Sequence, residues 1–230
     1  MQEQLYHRTV LLLVLACLAA AGLWPLGARG QDGYRVEIVA AAPAGIADGI
    51  AKSLAVPGAR LVTGDGKTVA ELWLRNQIPL KAGAGEGYSA LAEGTLVGVL
   101  NFPQGGADFR GQNIPAGAYT LRYEHIPQDG NHLGASPEPD FLLLCPAAED
   151  KNPDAAFDFD NLVELSRHAT KTNHPGPLML LPPAGGAEFP GMARNDLGYV
   201  ALRLKTSAKL AGSETVRDFP VALTLVGRAE

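Results

Sequence analysis

From residue 34 onward the chain is built of short apolar runs separated by glycine, proline and aspartate, and the period of those runs is mostly two. Residues 34–40 alternate, with Val36, Ile38 and Ala40 on one face and Arg35 and Glu37 on the other, the pattern of a half-buried strand. Residues 60–62 and 68–75 flank Gly64-Asp65-Gly66 and predict a hairpin, because glycine accepts the positive φ that a tight turn demands. In its second strand Leu72 and Leu74 share a face and Trp73 takes the other. Residues 95–102, 141–145 and 178–181 are apolar on both faces, which predicts central strands. Residues 118–125 place Tyr119, Leu121, Tyr123 and His125 on one side. Residues 199–205 point Val200, Leu202 and Leu204 inward, and residues 221–226 do the same with Val221, Leu223 and Leu225.

Two segments depart from that period. Residues 46–54 have helical character for about two turns, and residues 160–170 place Leu162, Val163 and Leu165 ahead of Arg167 and His168. Asp158 or Asp160 can cap the second, which reads as a short helix crossing an edge or end of the sheets. Gly83-Ala84-Gly85-Glu86-Gly87 reads as a hairpin tip or loop; it lacks the lysine and following helix of a phosphate loop. The sum is an all-β chain: eight to ten strands in a two-sheet antiparallel β-sandwich with one or two short helices. There is no repeat at fixed period and no linker, so residues 31–230 are expected to form a single domain.

The first thirty residues have a different pattern. Arg8 precedes an apolar run over 9–24, and Pro25-Leu26-Gly27-Ala28-Arg29-Gly30 ends it in small residues. A charged head, an apolar middle and a small-residue end predict a secretory signal peptide over 1–30, cleaved after Ala28 or Gly30. Two alternatives stay open: a retained anchor, and a lipoprotein-type box at Val14-Leu15-Ala16-Cys17 with a lipidated cysteine. Export to periplasm, cell envelope or medium follows, and no later run is long enough to span a bilayer. The full chain carries 19 basic and 24 acidic residues, a net charge of −5. Loss of Arg8, Arg29 and Glu3 makes it one unit more negative. That balance argues against a nucleic-acid partner and against adhesion to anionic lipid. Beyond the signal one cysteine remains, Cys145, so no internal disulfide can staple this domain. Its place at the end of Phe141-Leu142-Leu143-Leu144 reads as a buried apolar position.

Ile114-Pro115-Ala116-Gly117-Ala118-Tyr119-Thr120-Leu121 resembles a recurring strand-entry element of β-sandwich modules, transthyretin-like and collagen-binding B-type repeats among them. A longer set is more distinctive: Phe109-Arg110-Gly111-Gln112, Asp129-Gly130-Asn131-His132, Asp140-Phe141-Leu142-Leu143-Leu144 and Thr172-Asn173-His174-Pro175. Together these resemble uncharacterised exported β-sandwich proteins of acidobacterial type, and the turn-and-strand element over 114–121 resembles that of a bacterial domain of unknown function built around an Ala-Gly-x-Tyr-x-Leu strand. The resemblance spans roughly residues 65–225. It implies export and the sandwich fold and no activity.

Candidate chemistry is sparse. His132 and His174 sit in polar loops, and with Asp129 or Asp140 they could supply imidazole and carboxylate ligands to a transition metal such as zinc, copper or iron. The competing reading is that these residues order their turns through backbone hydrogen bonds. Asp150-Lys151-Asn152-Pro153-Asp154 has the spacing that opens a calcium loop, but Ala155 replaces the required glycine and Asn161 the closing glutamate. No Gly-x-Ser-x-Gly is present, and Ser166 and His168 are two apart on a helix, where they diverge. Trp73 either presents a ligand or partner surface or packs under a second layer.

Two functions from different classes result. The first is an exported, non-catalytic β-sandwich acting as a binding or accessory module, its partner an envelope protein or a small ligand, with a surface near Trp73 or the 103–117 connection. The second is a metal-binding protein using the loop histidines, with a redox or hydrolytic role. The second requires that the 126–140 and 170–176 loops meet.

Overall fold

The computed structural model describes residues 33–127, 130, 132, 136–183 and 188–229. Residues 1–30, where a signal peptide is expected, and Asp129 lie outside the described residues. Among the described residues thirteen strands and two α-helices follow one another in the order β1 (Tyr34–Val39), α1 (Asp48–Ser53), β2 (Gly58–Thr63), β3 (Thr68–Leu74), β4 (Gln77–Leu80), β5 (Leu96–Phe102), β6 (Gly106–Ala107), β7 (Asn113–Ile114), β8 (Gly117–His125), β9 (Asp140–Pro146), α2 (Phe159–Thr170), β10 (Pro177–Met179), β11 (Gly191–Arg194), β12 (Val200–Leu210) and β13 (Val216–Val226). The fold is all-β with two short helices, as the alternation predicts.

One sheet has seven antiparallel strands in the order β1-β2-β3-β5-β8-β9-β10. The other has β11 and β13 on either side of β12, and β4 joins β12 further along the strand. The β4–β12 pair is parallel, the one departure among the described pairs from an antiparallel sandwich. A separate β6–β7 ribbon structures the 103–117 connection. The sheets face each other across a core that takes Leu72, Leu100, Leu121, Leu142 and Leu144 from the larger and Ile78, Leu202, Val221 and Leu223 from the smaller. Each of these leucines is fully buried, worth about 1.5–3 kcal/mol by transfer. At one corner the sheets join through main-chain bonds: the Leu181 amide donates to the Ala222 carbonyl, and Tyr88 Oη accepts from the Ala222 amide while donating to the Leu181 carbonyl.

The hairpin between β2 and β3 turns where Gly66 adopts φ +89°. β1 departs from expectation. Ile38, assigned to the inner face, is 55% exposed, because β1 is the edge of the larger sheet and reaches past the core at that end.

α2 begins where Asp158 accepts a hydrogen bond from the Asn161 amide, 2.8 Å, and ends where Lys171 turns left-handed at φ 57°. It lies on the outer face of the large sheet against β9, with Leu162, Val163 and Leu165 packed on Leu143 and Cys145. It therefore covers a sheet face rather than an edge. Cys145 is buried and free, and burial pushes its thiol well above the usual range. No helix among the described residues is long and apolar enough to cross a membrane.

Candidate functional site

In the middle of the larger sheet one face packs on the smaller sheet and the other on the helices, and β8 lies between β5 and β9, apolar but for Asn101 and for Asp140 at the start of β9. Tyr119, Leu121 and Tyr123 of β8 enter the inter-sheet core. The alternate residues Thr120, Arg122 and Glu124 therefore point outward under α2 and the 146–158 segment, and all three are buried. A buried polar row on a central strand has to find partners or remain unsatisfied.

Two of the three are satisfied. Arg122, with side-chain exposure 0%, meets Asp150, at 1%, through Nε–Oδ2 at 2.8 Å and Nη2–Oδ1 at 2.7 Å. Its remaining protons go to the carbonyls of Gly94 (2.9 Å), Asn152 (2.7 Å) and Ala155 (3.3 Å). The guanidinium stands 4.9 Å from the Phe157 ring centroid, and Thr120 donates to Asp150 Oδ2 at 2.6 Å. This arrangement accounts for the Asp150-Lys151-Asn152-Pro153-Asp154 spacing. The Asp150 carboxylate is consumed by Arg122 and Thr120, Asn152 Oδ1 accepts from the Asp154 amide, and Asp154 pairs with Arg75. The segment is a clasp on the sheet.

Glu124 is different. It is 5% exposed. Its Oε1 accepts the His125 amide at 3.0 Å, and its Oε2 is buried with no hydrogen-bond partner among the described residues. Burial, with a smaller contribution from Glu93, raises its carboxyl to about 7; the His125 amide and ring oppose the shift. Glu124 lines a pocket of about 140 Å³ whose walls include Phe109, Phe141, Leu143, Phe159, Val163 and Pro177. His125, His132, Arg110, Pro175 and Ala229 complete much of the lining.

The walls are held firmly. The Phe109 amide donates to the Pro177 carbonyl (2.8 Å) and its carbonyl accepts from the Ala229 amide (2.7 Å). Its ring meets Phe141 at 6.1 Å and Tyr199 edge-on at 5.5 Å. Asp108, buried beside it, accepts from the Gln112 amide and from Gln112 Nε2, and burial raises its carboxyl. Gln112 also reaches the other loop: Nε2 donates to the Pro175 carbonyl at 2.9 Å and Oε1 accepts from Thr172 at 2.6 Å. The segments 109–112, 129–132, 140–144 and 172–175 thus contribute Phe109, Arg110, His132, Phe141, Leu143 and Pro175 to one pocket.

The loops proposed for a metal do come together, since His132 and Pro175 share this pocket. His174 itself is exposed and outside the lining. Its amide donates to Thr172 Oγ1, and its carbonyl accepts from Thr170 and Thr172, so its main chain orders the turn after α2. Asp140 accepts the Tyr123 hydroxyl at 2.5 Å. Among the described residues no group of three or more histidine, cysteine, aspartate or glutamate side chains is placed to hold a metal ion. Ser166 is buried, donating to the Leu144 carbonyl and accepting from the Gly176 amide, a structural clamp between α2 and the sheet.

Trp73 requires a correction. It is 1% exposed and sits beneath α1 with Ile50, Leu54, Leu96 and Val99. It offers no surface to a ligand or partner, because α1 covers this outer part of the sheet. Its ring lies against Gly58, where a Cβ would come within 2.5 Å of the indole.

Compared with known protein families, curated proteins and solved structures, the chain has no match.

Proposed function

We propose that this protein is an exported, non-catalytic β-sandwich module that binds a small ligand in the pocket between β8, β9 and α2. One observation carries the reading: a small, largely apolar pocket is lined by a buried glutamate, one of whose oxygens has no partner among the described residues. Ligand sites have this composition, apolar walls for affinity and a few polar groups for orientation. The lining among the described residues contains no serine, threonine, cysteine, tyrosine or lysine, so it offers shape and an acceptor without a hydroxyl, thiol or amine nucleophile. Export rests on the charged, apolar and small-residue succession over 1–30, and the lone buried Cys145 suits a domain that is stable without disulfides.

The test is titration of residues 31–230 with toluene, followed by methyl NMR. Saturable shifts of the Leu143 and Val163 methyls, absent in Val163→Phe, are expected. Val163 is half-buried, so the larger side chain fills the pocket without overpacking the core. Absence of saturable shifts at those methyls in the folded parent overturns the reading.

A further inference from the structure

Among the described residues five buried side-chain atoms have no hydrogen-bond partner, Trp73 Nε1, Glu124 Oε2, Arg167 Nε, Arg203 Nε and Thr224 Oγ1, and of these residues Glu124 is the one that lines the pocket. Glu124 Oε2 is an acceptor removed from solvent and without a donor among the described residues, and leaving such an atom unmade costs free energy. Oε2 itself is out of solvent's reach, so a ligand in the pocket that Glu124 lines engages it as the carboxyl turns inward, and must bring an N–H or O–H. The cavity volume, about 140 Å³, is close to the roughly 150 Å³ of an apolar cavity that holds benzene, so one six-membered ring with a short arm is the size that fits. Three phenylalanines, Phe109, Phe141 and Phe159, are in the walls, and aromatic faces attract cations as well as rings. The basic side chain in the lining, Arg110, is exposed.

We propose that the pocket selects a single-ring primary amine, its ring among the phenylalanines and its ammonium donating to Glu124. This rests on the binding-module reading and adds the ligand class to it. An ammonium supplies both the missing donor and the counter-charge for a carboxylate in a poorly solvated place. Glu93 adds negative potential at Glu124 and His125 on the same strand opposes it; His132 and Arg110 are the other basic side chains in the lining among the described residues. Amine binding favours the ionised carboxyl, so it expels a proton wherever free Glu124 is protonated. Affinity for the amine therefore falls as pH drops below about 7, where the free carboxyl takes up its proton. The variant below isolates the part of the pH dependence that belongs to Glu124.

The experiment compares benzylamine with toluene by calorimetry on residues 31–230, at pH 5.5, 7 and 8, in the parent and in Glu124→Gln. The expected result is benzylamine at least tenfold tighter than toluene at pH 8, the margin shrinking toward parity at pH 5.5, and most of the margin lost in Glu124→Gln while toluene still binds. Toluene binding with benzylamine no tighter at pH 8 overturns the amine inference and leaves the pocket standing. Neither ligand binding to the folded parent overturns both readings. An undiminished margin in Glu124→Gln overturns the role of Glu124. If Glu124→Gln does not fold, the pH profile of the parent decides: a margin that is flat from pH 5.5 to 8 refutes the proposal.

Discussion

Replacing Arg122 with methionine tests how the large sheet is held to its outer cover. The guanidinium makes five hydrogen bonds, two to Asp150 and three to the carbonyls of Gly94, Asn152 and Ala155. Methionine keeps most of the stem's packing and removes all five. Asp150 is then a carboxylate with 1% side-chain exposure and one remaining side-chain donor, Thr120. Removing one partner of such a pair costs about 3–5 kcal/mol, more than the net worth of the pair, because the surviving charge stays desolvated. At a urea slope of about 2 kcal/mol/M the midpoint should fall by about 2 M. Urea unfolding followed by far-ultraviolet circular dichroism measures it. The double variant Arg122→Met/Asp150→Leu should recover at least 1 kcal/mol over Arg122→Met alone, since no charge is stranded. Recovery is incomplete because three carbonyls have lost their donor. A loss below about 1 kcal/mol in the single variant, or a double variant no more stable than it, refutes the reasoning.

Other outcomes follow from the same contacts. Gly58→Ala should lower stability by about 1–3 kcal/mol by driving a methyl into the Trp73 ring, and Trp73→Ala by about 3–5 kcal/mol; thermal unfolding checks both, with an unchanged midpoint counting against the packing described. Glu124 holds its proton more tightly folded than unfolded, so it adds stability below its ordinary value of 4.5 that is lost as pH rises through about 7. The total is on the order of 3 kcal/mol, and Glu124→Gln should flatten that part of the stability–pH curve. His168 Nδ1 lies 2.7 Å from Glu149, whose hydrogen bond and charge raise the imidazole's pKa. An NMR titration should show the value fall in Glu149→Gln; an unchanged titration refutes the contact in solution.

Most of the architecture was legible from period and turn residues. The β2–β3 hairpin, both helices and the doubly apolar strands β5 and β9 fall where the pattern puts them. β4 was missed because Pro79 interrupts a four-residue run; proline is tolerated there because β4 pairs on one side, with β12. β12 runs beyond the expected end because its polar second half is recruited by β4 and β13. The site was hidden for a different reason. Thr120, Arg122 and Glu124 alternate with apolar residues just as a solvent-facing row would. One signal was available: β8 follows β5 and precedes β9, both apolar on each face, so a strand between them has no solvated side. The metal reading drew attention to the right loops, since His132 and Pro175 share the pocket, but no local spacing revealed that Phe109 and Glu124 also line it.

The Arg122 clasp lies two residues along β8 from Glu124, on the same face, about 7 Å away at the rise of a strand. The acceptor proposed for a ligand is thus mounted on a central strand, two residues from its most heavily tied side chain, not on a loop that must order on arrival. The main-chain entropy of positioning it is spent during folding, so binding should cost the protein little further ordering. Evolving a new specificity here would then be a matter of changing the side chains of the walls, such as Phe159 or Val163 on α2, around an acceptor that stays where it is.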